Sequence, residues 1–206
     1  MNKDTQTNLD SYNKTAEKLS DVYNSLNISK INPGLEDRLP VSSDQNRLKA
    51  LDLGCGTGHA AHWLAEEKGF DVVAIDGAAN MIKVAQEKKS HSRIRYMVDL
   101  LPEVDNVKAL GEKFDVILLS AVWMHLDIPE RKQMVDAIAA LANKGALIYI
   151  TLRHGENPPD RPMFSTSADE LKVLAHACGM AFEHLGCNDD KQGRGNVSWE
   201  QVALRL

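Results

Sequence analysis

From position 48 to position 178 the chain alternates strand-like and helix-like segments, and few folds accept that order. Lys49–Leu53 ("KALDL") reads as a strand and 58–68 as a helix. Asp71–Asp76 ("DVVAID") is the next strand, followed by a helix over 78–89. Ile94–Val98 ("IRYMV") is a third strand, with a weaker helix over 104–110. The run 114–120 ("FDVILLS") is apolar without alternation, as expected of a central strand buried on both faces. The next helix has Asp127 as its cap, Pro129 in its first turn, a stripe of Met134, Ile138 and Leu141, and Gly145 as its stop. A strand over 146–152 and a helix over 167–178, capped by Ser167, complete the alternation.

Two last strands, 180–185 and 197–206, flank the turn-rich "GCNDDKQGRGN" and are expected to form an antiparallel hairpin. The whole predicts an α/β fold: a doubly wound, seven-stranded, mostly parallel sheet with an antiparallel last strand and helices on both faces. Residues 1–47 stand outside that pattern. Leu9, Tyr12, Ala16, Leu19 and Tyr23 fall at helical spacing, which predicts an N-terminal helical extension of one or two helices. The expected organisation is a cap or lid over 1–47 and a cofactor-binding domain over 48–206, in one compact unit.

At 206 residues and 43% hydrophobic the chain can bury a full core. Its net charge is −5 and its basic residues are scattered, which argues against a nucleic-acid partner. Cys55, Cys178 and Cys187 show neither disulfide nor zinc spacing, so no metal site is expected and a reducing, cytoplasmic setting is the simplest. The N-terminus lacks a signal-peptide core, and the apolar run 116–124 is too short to span a bilayer, so no membrane partner is expected.

Residues 51–58, "LDLGCGTG", place Gly54, Gly56 and Gly58 between a strand and a helix, where free amides and the helix dipole favour a nucleotide-like ligand. A dinucleotide fingerprint, GxGxxG, needs its third glycine at position 59; that position is His59. Asp76, ending the second strand, is placed for ribose hydroxyls. Asp52, two residues before the glycines, would repel a pyrophosphate but favour an amino group or a sulfonium.

On these residues the segment "LDLGCGTGHAAHWLAEEKGFDVVAIDGAANMIKVA" resembles the first two motifs of class I S-adenosylmethionine (SAM)-dependent methyltransferases, and the resemblance extends over 48–206. It implies SAM as cofactor and S-adenosylhomocysteine as product. It also implies a cofactor site from Asp52, Gly54, Cys55, Gly56 and Gly58, with Asp76 and Gly77 at the ribose, Met81 against adenine, and Asp99 and Leu100 at the adenine amino group. Ser120 and Ala121 would lie beside the sulfonium, and Tyr12 resembles the tyrosine that covers the cofactor in small-molecule members. Asp76 and Asp99 could instead cap turns, and Met81 could be plain core.

The acceptor should face the ends of the fourth and fifth strands, "LLSAVWMHLD" and "TLRHGENPPDRPMF". No [DN]PP[YFW] follows the fourth strand, which argues against base or amide methylation; Asn157-Pro158-Pro159 follows the fifth. His125 and His154 are the candidate general bases. Trp123 is a candidate substrate wall, and Arg153 and Arg161 are candidate carboxylate or phosphate ligands. Against these stand ordinary roles: histidines bonded to carbonyls, a packed tryptophan, and arginines paired with Glu156 or Asp160. The strings "SAVWMHL" and "TLRHG" resemble a bacterial subgroup of the family. The expected activity is methyl transfer to an oxygen or nitrogen of a small molecule. An RNA or protein acceptor, or a non-catalytic SAM-binding module, are the alternatives.

Overall fold

The computed structural model describes residues 3–206. Seven strands form one sheet: β1 (Lys49–Leu53), β2 (Asp71–Asp76), β3 (Ile94–Val98), β4 (Phe114–Leu119), β5 (Ala142–Gly155), β6 (Ala181–Asp189) and β7 (Val197–Arg205). Their order is β3-β2-β1-β4-β5-β7-β6. β1, β2, β3, β4 and β5 are parallel neighbours, and β7 runs antiparallel to both β5 and β6. The chain switches direction across the sheet between β1 and β4, so a crevice opens at the carboxyl ends of those strands.

Alternation along each strand builds two cores. Leu51, Leu53, Ile117, Ile148 and Ile150 face α6 (Ile128–Leu141) and α7 (Ala168–Ala177). Ala50, Val116, Leu118, Leu147 and Tyr149 face α3 (His59–Glu66). β4 is buried on both sides, as its unbroken apolar run predicts. Each such leucine or isoleucine contributes about 1.5–3 kcal/mol on burial. Helix α6 begins with a full capping box between Asp127 and Glu130, and Ser167 caps α7 through the Glu170 amide.

Two expectations need correction. Gly145 does not stop α6: the helix ends at Leu141 and the chain enters β5 directly at Ala142. Gly145 lies inside that strand with φ 81°, and its amide donates to Leu206 O at 2.7 Å. The β4–β5 register shifts between Phe114 and Val116, and the extra residues around the glycine are absorbed there. The first hairpin strand is also longer than its apolar core suggests: β6 continues to Asp189 past a bulge between His184 and Gly186.

The N-terminal region forms α1 (Lys3–Asn24) and α2 (Ile28–Ile31). Helix α1 packs Ala16 against Met81 and Val84 of α4 (Ala79–Lys88), with Leu9, Tyr12 and Leu19 alongside. Asn13 bonds Asn80 twice, at 2.8 and 3.0 Å, and Lys88 pairs with Glu17 at 2.7 Å. At its other side Asn8 donates to Pro162 O and Ser11 to Asp160. The short helix α5 (Asp105–Ala109) follows β3.

Candidate functional site

A cavity of about 300 Å³ occupies the crevice. Its floor is the loop after β1 and the end of β2; its roof is α1; its far wall is the segment 120–126, the loop 158–163 and the β6–β7 hairpin. Most candidates from the sequence meet there: Tyr12, Asp52, Gly54, Cys55, Gly56, Asp76, Gly77, Met81, Leu100, Ser120, Ala121, His125, Arg153 and Arg161.

At the floor, Asp76 accepts from the Gly56 amide at 2.9 Å and the Ala78 amide at 2.8 Å. Burial raises its pKa while those two amides lower it. Asp52 is 2% exposed and its Oδ2 has no hydrogen-bond partner. Burial and the neighbouring Asp76 carboxylate push its pKa up to about 7. An unpaired buried carboxylate oxygen facing a cavity is a site for a cation. Above it, a Cβ on Gly54 would lie 2.5 Å from Val122 Cγ2. The glycine is therefore held by the wall of the cavity.

Gly58 is placed differently. It does not line the cavity; it has φ 79°, precedes α3, and a Cβ there would lie 2.4 Å from the Tyr96 hydroxyl. Its role is close packing of α3 against the sheet. Asp99 also lies outside the lining: its carboxylate accepts from the Leu100 and Val107 amides, both at 3.0 Å, so it fixes the turn into α5. Leu100 itself reaches the cavity.

At the far wall, the Tyr12 hydroxyl lies 3.0 Å from His125 Nε2. Burial, then the cations of Arg161 and Arg153, push the His125 pKa down to about 4, so the ring is neutral near pH 7. His125 sits on a 3-10 turn, Trp123–His125, that follows Ala121, an alanine with φ 61° whose amide donates to Thr151 Oγ1 at 2.7 Å. That sparsely populated backbone aims the turn into the crevice. Ser120 donates to the buried Asn32 at 2.7 Å.

Trp123 and His154 do not fit their expected places. Trp123 is 0% exposed within the α6-side core, with Arg131 over its ring, so it cannot be a substrate wall. His154 does not line the cavity; its Nε2 lies 3.0 Å from Glu200, which also holds His184 at 2.7 Å. Together with Cys187 these two partners, Glu200 and His184, bring ligand-type atoms within 4.8 Å of one another. Arg153 is not paired with Glu156 by charge; its guanidinium donates to the backbone oxygens of Gly155 and Glu156. Sequence reading missed Asn8, Tyr23, Thr151 and the hairpin residues Asp190, Arg194 and Trp199 as lining. The arginine within the glycine-rich turn was the available signal for the last group.

Residues 50–145 match the family model described as "Methyltransferase domain". Over that stretch the chain is similar to the methyltransferase family. The stretch holds the glycine loop, Asp76 and His125, whereas Tyr12, Arg153 and Arg161 lie outside the matched residues. Among curated relatives, the chain is similar to a malonyl-[acyl-carrier protein] O-methyltransferase of Halalkalibacterium halodurans, 27% identical over 80% of this chain and 55% of that one. The chain spans 25–55% of the length of the first curated relatives it matches. A TehB-like SAM-dependent methyltransferase from Corynebacterium glutamicum has a similar fold, with TM-score 0.65 and 18% identity over 94% of this chain and 99% of that one. So has a Haemonchus contortus phosphoethanolamine N-methyltransferase solved with S-adenosylhomocysteine, with TM-score 0.63 and 16% identity over 86% and 52%. At such identities these two structures speak for the methyltransferase fold. No helix among the described residues is long and apolar enough to cross a membrane.

Proposed function

We propose that the protein transfers a methyl group from SAM to an oxygen or nitrogen of a small molecule. The observation that carries the reading is the unpaired, buried Asp52 Oδ2 beside the Asp76 carboxylate and the Gly54–Gly56 loop. This donor set suits a molecule with ribose hydroxyls and a positive charge. Asp76 would take the hydroxyls, Asp52 would face the cationic methionine portion, and Met81 and Leu100 would flank the base. SAM supplies an electrophilic methyl on a sulfonium, so the protein's part is positioning and proton handling.

Tyr12 and His125 do the proton handling. A nucleophile hydrogen-bonded to the Tyr12 oxygen passes its proton there as the tyrosine proton moves to His125 Nε2. Both groups begin neutral, since burial raises the Tyr12 pKa and lowers that of His125. The roof formed by α1 covers part of a cavity whose size suits a small acceptor rather than a polymer.

Calorimetry with SAM and with S-adenosylhomocysteine tests the cofactor. Both should bind, and Asp76→Ala should weaken both at least tenfold; absence of binding to the wild type overturns the reading. Formation of S-adenosylhomocysteine with a panel of small hydroxyl and amine acceptors separates an enzyme from a binding module.

A further inference from the structure

The acceptor end of the cavity holds two cations, Arg153 with no carboxylate in salt-bridge distance among the described residues and Arg161 with one, Asp160, at 3.8 Å. Arg153, on β5, is 5% exposed. Its terminal nitrogens donate to Gly155 O at 3.2 Å and Glu156 O at 2.5 Å, and its buried Nε has no partner. Among the described residues no carboxylate lies within salt-bridge distance of it. Arg161 lies 5.4 Å from the Tyr12 ring, and its buried Nε also lacks a hydrogen bond. Its one carboxylate, Asp160, stands at 3.8 Å, with the other oxygen of Asp160 taken by Ser11 at 2.9 Å.

The remaining charges along the cavity do not change this balance. Arg194 closes on Asp190 through two contacts, 2.6 and 3.1 Å, and Trp199 Nε1 donates to the same acid. Lys30, Lys191 and Asp189 are exposed at the rim. Asp52 and Asp76 belong to β1 and β2, separated from β5 by β4. A buried guanidinium without a counter-ion is costly, and its planar set of N–H groups matches the oxygens of a carboxylate or phosphate.

We propose that Arg153 and Arg161 form an oxyanion subsite beside the Tyr12–His125 pair, so that the methyl acceptor is a small carboxylate or phosphate. The word acceptor rests on the methyl-transfer reading above; the anion site stands on these residues alone. An anion seated there would also offset the two cations that add to the effect of burial in lowering the His125 pKa. Base strength would then rise when the acceptor is bound.

The test is calorimetric titration of the protein saturated with S-adenosylhomocysteine by benzoate, phenyl phosphate and benzamide. At least one anion should bind with Kd of millimolar order or below and at least tenfold more tightly than benzamide. The tighter anion tells carboxylate from phosphate. Arg161→Gln should weaken that anion at least tenfold while the affinity for S-adenosylhomocysteine stays within twofold. Arg153→Gln should do the same, and Arg161→Gln decides if the buried variant does not fold. Equal binding of benzamide, no binding of either anion, or an Arg161→Gln variant with unchanged anion affinity would overturn the proposal. Failure of the cofactor reading would show separately, as no binding of S-adenosylhomocysteine to the wild type, and the anion titrations would then be read on the free protein.

Discussion

The Tyr12 hydroxyl and His125 Nε2 stand 3.0 Å apart although 113 positions separate them in the chain. One comes from the roof helix and the other from the turn after the central strand, so the pair exists only when α1 is docked. Their ring planes are at 88° and their centroids 5.6 Å apart, which fixes the imidazole as well as touching it.

This pair sets the acid side of the pH profile. With a His125 pKa of about 4, the imidazole of the free protein stays neutral well below the ordinary histidine range. The acid limb of kcat/KM should therefore lie nearer pH 4 than 6.5, after correction for cofactor binding. Tyr12→Phe and His125→Ala should each lower kcat at least tenfold with little change in SAM affinity. Unchanged turnover in both variants would remove the pair from the chemistry.

The same depressed pKa has a stability sign. The unfolded chain protonates this histidine near pH 6.5, the folded one near 4. Its contribution is thus present above pH 6.5 and lost as pH falls toward 4, on the order of 3 kcal/mol. Urea midpoints measured from pH 7 to pH 4 should fall more steeply for the wild type than for His125→Gln.

Asp52 gives the cofactor site a proton balance. Its pKa of about 7 in the free protein falls when a cation binds beside it, so binding of SAM near neutrality releases a proton. Affinity for SAM should rise with pH through 7. The calorimetric heat should vary with the ionisation enthalpy of the buffer, and Asp52→Asn should abolish both effects. S-adenosylhomocysteine, lacking the sulfonium, should show a smaller release.

Gly58 and Gly56 look alike in sequence and should behave differently. Gly58→Ala drives a methyl into the Tyr96 hydroxyl and should cost roughly 1–3 kcal/mol in thermal unfolding. Tyr96→Phe should recover part of that loss. At Gly56 the nearest atom is Tyr23 Cε2 at 3.5 Å, inside the cavity, so Gly56→Ala should show its larger effect in cofactor affinity.

Helix α1 supplies Leu9, Tyr12, Leu19 and Tyr23 to the cavity, and several of its ties to the rest of the chain are surface polar contacts. Amide exchange across residues 3–24 should slow on adding S-adenosylhomocysteine, whereas β1 and β4 should change little. Equal protection with and without the ligand would rule out a roof that closes on it.

The sheet was legible because most strands are bounded by turn residues, and α6 and α7 by the side-chain caps Asp127 and Ser167. Gly145 misled because a glycine after an apolar helix stripe and a glycine inside an irregular strand leave the same trace in a sequence. The cofactor end was legible for a similar local reason: Asp52, the glycines and Asp76 lie on consecutive elements. The acceptor end was not. It joins α1, the loop after β5 and the last hairpin, and nothing in "SAVWMHL" says that Trp123 turns into the core while His125 turns out. The left-handed Ala121 that decides this has no sequence mark, since alanine is not a residue chosen for that backbone.

Arg153 and His154 are neighbours on one extended strand, one lining the cavity and the other bonded to Glu200 on the exposed side. The character of the site thus depends on parity. Loss or gain of a single residue between Leu147 and Leu152, where β5 pairs regularly with β7, would exchange the two, giving an imidazole inside and a guanidinium outside. A change of two residues would restore the original polarity. The strand that feeds the site is thus sensitive to length in its regularly paired stretch, from Leu147 onward.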